Sequence, residues 1–326
     1  MAWPHPDSDW NYILDEAEKC FTAIAEAIAP FARLIVAAPD IDRVAHCLST
    51  IPADRLVLVP MSTNDTWTRD YGPITVLCDG TPLPLDFQFN GWGLKFAADS
   101  DNLVTSRLAE LGLFANHPVN CLDFVLEGGS VDSDGAGTIL TTDSCLLNPN
   151  RNGALSKEEI LTVLADAFGA ERIVSLRNGE LAGDDTDGHI DTLARFAPPG
   201  DVIFHVGCAD PSDPHHAPLK AMADELRSLR TADGRPYHLV ELPLPDAMYD
   251  ENGERLPATY ANFLIVNNAV ILPVYNQPLK DRMAADLIHA AMPEYHVVPV
   301  DCRTLVRQHG SLHCSTMQLP SGTLSI

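Results

Sequence analysis

The sequence predicts an α/β protein assembled from repeated units, and three observations support this. Amphipathic helical segments alternate along the chain with short apolar segments typical of buried strands. A polar motif recurs in each of five successive units of roughly 65 residues. The order within each unit is helix, strand, motif, strand. Five such units could close around an axis and bring their motifs to one centre, whereas in an open α/β sheet the motifs would scatter.

The elements of the first two units follow from their apolar patterns. Residues 14–29 have helical spacing, and Pro30 marks the end of that pattern. The other predicted elements are a strand at 33–39, a helix at 41–51, strands at 55–60 and 73–78, a helix at 99–112, and strands at 120–126 and 138–147. Their motifs are STNDTWTRDYG, after the second strand, and EGGSVDSDGAG, after the fourth.

The later units repeat this order. A helix is predicted over 156–168, where Ser156 and Glu159 have the spacing of a capping box. The remaining elements are strands at 171–176 and 201–207, a helix at 217–229, strands at 238–245 and 269–275, a helix at 279–291 and a strand at 296–302. Their motifs are GELAGDDTDGHID, ATYANF and HGSLHCS. The resulting hypothesis is one domain, 1–326, with repeats at 1–80, 81–150, 151–210, 211–278 and 279–326.

The composition indicates a globular protein with a strong negative charge. Lys and Arg number 21 and Asp and Glu number 45, a net charge of −24. Such a charge repels nucleic acid and anionic membranes and attracts small cations. The N-terminus lacks a signal-peptide pattern, no apolar run is long enough to span a membrane, and the eight cysteines form no C-x-x-C pair. We therefore expect a cytoplasmic protein with reduced thiols that binds neither nucleic acid nor membranes.

The five motifs together carry the groups needed to attack a guanidinium carbon. The motif residues are Trp67, Arg69, Asp70, Glu127, Gly128, Gly129, Asp187, Gly188, His189, Asp191, Tyr260, Asn262, Gly310, His313 and Cys314. Carboxylates bind the edges of this planar cation through paired hydrogen bonds. A thiolate is a strong nucleophile, and a histidine can protonate leaving ammonia and then accept a proton from water. The alternation of His189 and Asp191 predicts a strand with both side chains on one face.

Two metal sites are weaker interpretations of the same sequence. Residues 132–143 partly match a calcium loop, but Ala136 and Leu140 occupy ligand positions and a hairpin turn fits better. The set Cys302, His309, His313 and Cys314 matches no common zinc spacing, and a metal would quench the nucleophile. We therefore expect neither a metal nor a cofactor.

As an ordered set, the motifs resemble the agmatine deiminase family. WTRDYGP, LEGGS, TDGHID, YANF, PVYNQP and GSLHCSTMQLP occur in this order between residues 64 and 320. That family belongs with the bacterial peptidyl-arginine deiminases in the guanidino-group-modifying superfamily. The resemblance implies a pentein fold, which is a five-bladed pseudo-symmetric α/β propeller of ββαβ-type repeats around a central active site.

The resemblance also implies catalytic roles for five residues. Cys314 is the implied nucleophile, which forms a covalent amidino-thioether, and His189 is the implied general acid and base. Asp70 and Asp191 are implied to bind the guanidinium nitrogens, and Glu127 to support His189 or the substrate. The implied reaction is the hydrolysis of agmatine, a small cationic guanidino compound, to N-carbamoylputrescine and ammonia.

Substrate binding is implied for Trp67 and Asn262, and two departures concern the choice of substrate. Thr68 stands where agmatine-specific members often have cysteine, and GSLHC stands where they often have GNIHC. The alternatives are a peptidyl-arginine deiminase, an amidinotransferase and a catalytically silent guanidine-binding protein. A homodimer is the working hypothesis for the assembly.

Overall fold

The computed structural model describes residues 1–325, and these divide into two compact units. The first unit contains residues 1–128 and 149–154 together with the segment that begins at Cys314. The second unit contains residues 129–148 and 155–313. Within residues 1–325, no helix is both long enough and apolar enough to cross a bilayer.

The strands are short and are distributed over both units. Within residues 1–325 they are β1 (Leu34–Ala38), β2 (Leu56–Pro60), β3 (Ile74–Cys78), β4 (Thr81–Gln88), β5 (Val119–Val125), β6 (Asp132–Ser133), β7 (Thr138–Thr142), β8 (Arg172–Leu176), β9 (Ala194–Ala197), β10 (Val202–Gly207), β11 (His238–Pro243), β12 (Leu264–Val266), β13 (Ala269–Val274) and β14 (His296–Asp301). The first five strands belong to the first unit and the others to the second.

The helices range from single turns to four turns. In the same part of the chain they are α1 (Leu14–Ile28), α2 (Ile41–Cys47), α3 (Thr68–Tyr71), α4 (Gly91–Leu94), α5 (Val104–Glu110), α6 (Asp143–Leu146), α7 (Pro149–Asn152), α8 (Lys157–Phe168), α9 (His216–Ser228), α10 (Pro278–Ala291) and α11 (Arg303–Val306). The long helices all lie where the apolar spacing predicts them.

The sheets share one connection pattern. β1 and β2 form a parallel pair in the first unit, where β3, β4 and β5 form a second sheet. The second unit contains the sheets β6-β7-β8, β9-β10-β11 and β12-β13-β14. In each three-stranded sheet the first two strands are antiparallel, and the third pairs in parallel with the second after a helical connection. Two parallel strands can be joined only by a crossover connection, and in each of these sheets helices form that connection in the sequence between the two strands.

The predicted α/β class is therefore confirmed, with small mixed sheets, but the residue pattern missed one strand in each of the four three-stranded sheets. β4, β6, β9 and β12 were not expected from the apolar runs. The strand predicted at 138–147 is also too long, because it ends at Thr142 and α6 follows. The Thr142 hydroxyl accepts the backbone N–H of Cys145, which caps this short helix.

The helix α8 forms as its sequence predicts. Ser156 accepts the backbone N–H of Glu159, and the Glu159 side chain accepts the backbone N–H of Ser156, so the capping box is complete. Ile160 and Leu164 are buried at i,i+4 spacing, and the helix ends at Gly169 in the left-handed conformation. The helix is therefore bounded by local signals and held in place by one apolar face.

Each motif follows the last strand of one sheet, and the first four motifs also precede the first strand of the next sheet. The WTRDYG motif lies between β2 and β3, and the EGGS motif lies between β5 and β6. The TDGHID motif lies between β8 and β9, and the YANF motif lies between β11 and β12. The GSLHC motif follows β14 and α11. The repeated topology thus places the five motif loops at equivalent positions relative to their sheets.

Candidate active site

In the first unit, the WTRDYG motif forms the short helix α3 and the loop before it. The buried Asp101 carboxyl group fixes this loop, because its oxygens accept the backbone N–H groups of Asn64, at 2.7 Å, and Asp65, at 3.1 Å. Trp67 is buried against Trp10, with ring centroids 5.7 Å apart. These contacts therefore hold Trp67 and the start of α3 in one defined conformation.

The segment that contains Cys314 is hydrogen-bonded to α3. The backbone N–H of Arg69 donates to the carbonyl oxygen of Cys314 at 3.0 Å. The hydroxyl of Thr68 donates to the carbonyl oxygen of Ser315, also at 3.0 Å. Asp70 and Cys314 are both buried. The structure thus brings the predicted nucleophile and one predicted guanidinium-binding carboxylate into the same hydrogen-bonded assembly.

The EGG motif adds Glu127, whose carboxylate is paired with a residue that the motif analysis missed. Arg151 Nε lies 2.9 Å from Oε1 and 2.8 Å from Oε2 of Glu127, and each side chain is only 1% exposed. A Cβ atom at Gly128 would lie 2.2 Å from the carbonyl oxygen of Arg69. Only glycine fits there, which is why this motif can pack directly against α3.

Trp92 is a second contact that the motif analysis missed. Its indole Nε1–H donates to Oδ2 of Asp70 at 3.0 Å, and both side chains are buried. Trp92 lies outside every motif that was singled out, in the turn that contains α4. The orientation of Asp70 therefore depends on a residue 22 positions away.

In the second unit, the TDGHID motif forms a tight turn and not the strand that the H-x-D pattern predicts. Ile190–Thr192 is a 3-10 turn, and His189 precedes it. Asp187 and Gly188 have positive φ angles of 66° and 92°. The Thr192 hydroxyl donates to the carbonyl oxygen of His189 at 2.8 Å. The strand prediction for His189 and Asp191 is thus wrong, because local turn bonds override the two-residue alternation.

Asp191, Asn262 and His313 meet in one buried network. Nδ1 of His313 lies 2.7 Å from Oδ2 of Asp191. The backbone N–H of His313 donates to Oδ1 of Asn262 at 2.9 Å, and Nδ2 of Asn262 donates to the carbonyl oxygen of Asp191 at 3.3 Å. The structure thus joins the last three motifs of the chain. The substrate-binding role of Asn262 stays a prediction.

The candidate calcium loop at 132–143 is a hairpin. β6 and β7 pair antiparallel, with Asp132 opposite Leu140. The Asp134 carboxylate accepts the backbone N–H groups of Ala136 and Thr138 within the connecting turn. The hairpin interpretation is therefore confirmed, and the Asp134 carboxylate stabilises the turn of this hairpin.

The predicted site residues are thus found in two buried groups. Trp67, Asp70, Glu127 and Cys314 belong to the first unit, where α3 connects them, and His189, Asp191 and Asn262 belong to the second. The small sheets of the chain are thus linked by loops that bury carboxylates, a histidine and a cysteine. A family model for Porphyromonas-type peptidyl-arginine deiminases matches residues 1–320, and the chain belongs to this family.

Three relatives illustrate the match over nearly the whole chain. A Porphyromonas gingivalis structure, provisionally named an arginine deiminase, is 52% identical, covers 99% of this chain and 95% of its own, and has a TM-score of 0.92. A cysteine-to-serine variant of C. jejuni agmatine deiminase with substrate bound is 40% identical, with coverages of 96% and 90% and a TM-score of 0.90. A Vibrio parahaemolyticus protein, provisionally named an agmatine deiminase, is 37% identical, with coverages of 98% and 93%.

Proposed function

We propose that this protein hydrolyses a small guanidino compound to a ureido product and ammonia, and that agmatine is its substrate. The observation that carries the proposal is the assembly around α3, where the backbone of Cys314 is bonded to the residue next to Asp70. A buried cysteine and a buried carboxylate within one hydrogen-bonded assembly suit attack on a cation. The family membership and the agmatine deiminases among the relatives support the same chemistry.

In the proposed first step, the Cys314 thiolate attacks the guanidinium carbon and a carbon–sulfur bond forms. Asp70 and Asp191 hold the guanidinium nitrogens through charge-assisted hydrogen bonds, which orient the carbon toward the sulfur. His189 transfers a proton to one nitrogen, and the carbon–nitrogen bond breaks to release ammonia. The product of this step is an amidino-thioether on Cys314.

In the proposed second step, water replaces sulfur. His189, which is now neutral, accepts a proton from the water as its oxygen attacks the amidino carbon. The carbon–sulfur bond then breaks, and the remaining hydroxyl proton of the tetrahedral intermediate passes to solvent, where it converts the released ammonia to ammonium. The thiolate and the protonated histidine are thereby restored. The ureido product is neutral where the guanidinium was charged, so the carboxylates lose their partner and release is favoured.

The buried arginines favour agmatine over a substrate with an α-carboxylate. Among the arginines and lysines of residues 1–325, those that are buried are Arg69, Arg151 and Arg195. Arg151 pairs with Glu127, and Arg69 bonds to Gln318 and to the Met317 sulfur. Arg195 pairs with Asp132 and donates to the carbonyl oxygen of Phe263. All three already bond to protein acceptors, whereas an α-carboxylate would need a cationic partner.

Three further features belong to the proposal. The five motifs would reach one substrate in the five-bladed pseudo-symmetric propeller that the family resemblance implies, and five sheets with a common connection pattern support it. We also propose a homodimer and a cytoplasmic location. Light scattering of the purified protein tests the homodimer, and fractionation of the source cells tests the cytoplasmic location.

The test is an ammonia-release assay that compares agmatine, free arginine and a peptide with C-terminal arginine, with Cys314→Ala as the blank. Turnover of agmatine alone is the expected result. Turnover of the peptide alone would keep the chemistry and replace the substrate, and membership of the Porphyromonas-type peptidyl-arginine deiminase family makes this the second candidate. Inactivity of the folded enzyme on all three compounds would contradict the proposal and point to an amidinotransferase or another guanidine.

A further inference from the structure

The turn formed by Asn90–Phe96, called the Trp92 turn below, has a backbone conformation that its side chains do not favour. Trp92 and Leu94 have φ angles of 55° and 68°, and the glycines at 91 and 93 have φ angles of 70° and 80°. Positive φ is uncommon for residues with a Cβ atom and is an outlier for bulky ones. Such strain persists only where surrounding contacts enforce it, and it is concentrated at functional sites.

The start of the turn is held by two hydrogen bonds of the Asn90 side chain. Oδ1 of Asn90 accepts the backbone N–H of Gly93 at 2.9 Å, and Nδ2 of Asn90 donates to the carbonyl oxygen of Asn150 at 2.8 Å. A Cβ atom at Gly91 would lie 2.1 Å from the carbonyl oxygen of Phe96, so the closure requires glycine. These contacts fix the backbone conformation of the turn.

The strained backbone places the Trp92 ring in a fixed aromatic contact. Its ring centroid lies 5.0 Å from that of Phe89 and 5.5 Å from that of Phe96, both in edge-to-face geometry. The rings leave the indole little rotational freedom. The position of its N–H group is therefore set by the fold of the turn.

That N–H group points at a carboxylate with a proposed catalytic role. Nε1 of Trp92 lies 3.0 Å from Oδ2 of Asp70, and both residues are buried. An indole N–H can only donate a hydrogen bond, so Oδ2 must accept it. A donor of this kind fixes the plane of the carboxylate and favours its ionised form.

We propose that Trp92 is a positioning residue that holds the Asp70 carboxylate ionised and correctly oriented for the substrate guanidinium. The inference rests on the proposed function, because it takes Asp70 as a ligand of the guanidinium. It adds a residue from outside the five motifs and explains why the Trp92 turn keeps an unfavourable conformation. A misplaced carboxylate would weaken both substrate binding and the alignment of the guanidinium carbon for attack.

The test replaces Trp92 with phenylalanine, which keeps an aromatic ring and removes the N–H group. We expect kcat/KM for agmatine to fall roughly tenfold to a hundredfold, with a rise in KM and a fall in kcat. Because Asp70 loses a donor to its ionised form, the acidic limb of the kcat/KM profile should move to higher pH. A role limited to packing would not move that limb.

The chain offers a matched control in Trp3. Its indole N–H also donates to a carboxylate oxygen, Oε1 of Glu18, at 3.2 Å, and Trp3 is buried. Trp3→Phe should leave kcat/KM and the pH profile unchanged. If Trp92→Phe does not fold, replacement of Trp92 by benzothienylalanine keeps the shape of the indole and removes only the donor.

The outcomes separate this inference from the proposed function. A wild-type protein that is inactive on every guanidine tested would contradict the proposed function. An active wild type together with a folded Trp92→Phe or benzothienylalanine protein of unchanged kcat/KM and pH profile would overturn the positioning role alone. A loss of activity with the shifted acidic limb, absent in Trp3→Phe, is the result that we expect.

Discussion

At the scale of single residues, the buried ion pair of Arg151 and Glu127 should be important for the stability of the fold. Both side chains are 1% exposed, so the Glu127 charge depends on its partner. We expect Arg151→Met to lower the free energy of unfolding by about 3–5 kcal/mol, because it leaves a buried carboxylate without its cation. Urea denaturation at neutral pH measures this change.

Arg235 supplies the control for that substitution. Its Nε lies 2.7 Å from Oδ2 of Asp233, and the two side chains are 65% and 56% exposed. Loss of an exposed ion pair costs about 0–1 kcal/mol, so Arg235→Met should have a small effect. Equal losses in the two variants would contradict the importance that we give to burial.

The sequence could suggest which residues carry the chemistry but not which residues orient them. Cys314, His189 and Asp70 were singled out because their motifs form an ordered set. Arg151 and Trp92 were missed because they contact residues 24 and 22 positions away. Such distances match neither the helical nor the strand period, so no local pattern reveals these contacts.

At the scale of elements, α8 shows a local signal that carries measurable stability. The Ser156 hydroxyl caps the helix and Glu159 completes the capping box. Ser156→Ala should lower the free energy of unfolding by about 1 kcal/mol, as measured in urea. The exposed Ser49, replaced in the same way, is the control, and a loss no greater than that of Ser49→Ala would mean that the cap does not contribute.

The long helices were predictable because each buries one face over several turns, whereas some short elements were not. β4 contains Pro82 and Pro84, which argue against a strand, and β12 has only three residues. The Ile190–Thr192 turn depends on bonds such as that from the Gly188 N–H to the Asp184 carboxylate. Tertiary pairing and turn chemistry decide these segments, and neither is visible as a periodic pattern.

At the scale of the whole molecule, buried carboxyl groups couple stability to pH. Burial raises the pKa of Asp101 to about 8 and that of Asp65 to about 6, whereas an aspartate in the unfolded chain has a pKa near 4. The folded state therefore holds protons that the unfolded chain releases. The stability contributed by protonated Asp101 is complete below about pH 4 and is lost as pH rises toward 8.

We expect Asp101→Asn to remove much of this pH dependence, because the amide cannot ionise. The measurement is the free energy of unfolding at pH 5 and pH 8 for the wild type and the variant. The exposed Asp42→Asn is the control and should keep the wild-type difference between the two pH values. The same difference in Asp101→Asn would show that Asp101 does not titrate in this range.

The sequence also predicted the class of the whole molecule better than its internal division. The recurring order of elements predicted an α/β protein with repeated units, and the common topology of the sheets agrees with it. The sequence did not predict that each compact unit is built from segments that are not contiguous in the chain. Residues 149–154 belong to the first unit although residues on both sides belong to the second, and only contacts distant in sequence determine such an assignment.

The most direct test of the central claim is to locate the covalent intermediate. The protein is mixed with agmatine, quenched in acid during turnover, and analysed by intact mass spectrometry and peptide mapping. We expect a mass increase equal to agmatine less ammonia, located on Cys314, in the wild type and in Cys302→Ala, and no adduct or turnover in Cys314→Ala. An adduct on another cysteine, or normal turnover by Cys314→Ala, would contradict the assignment of Cys314 as the nucleophile.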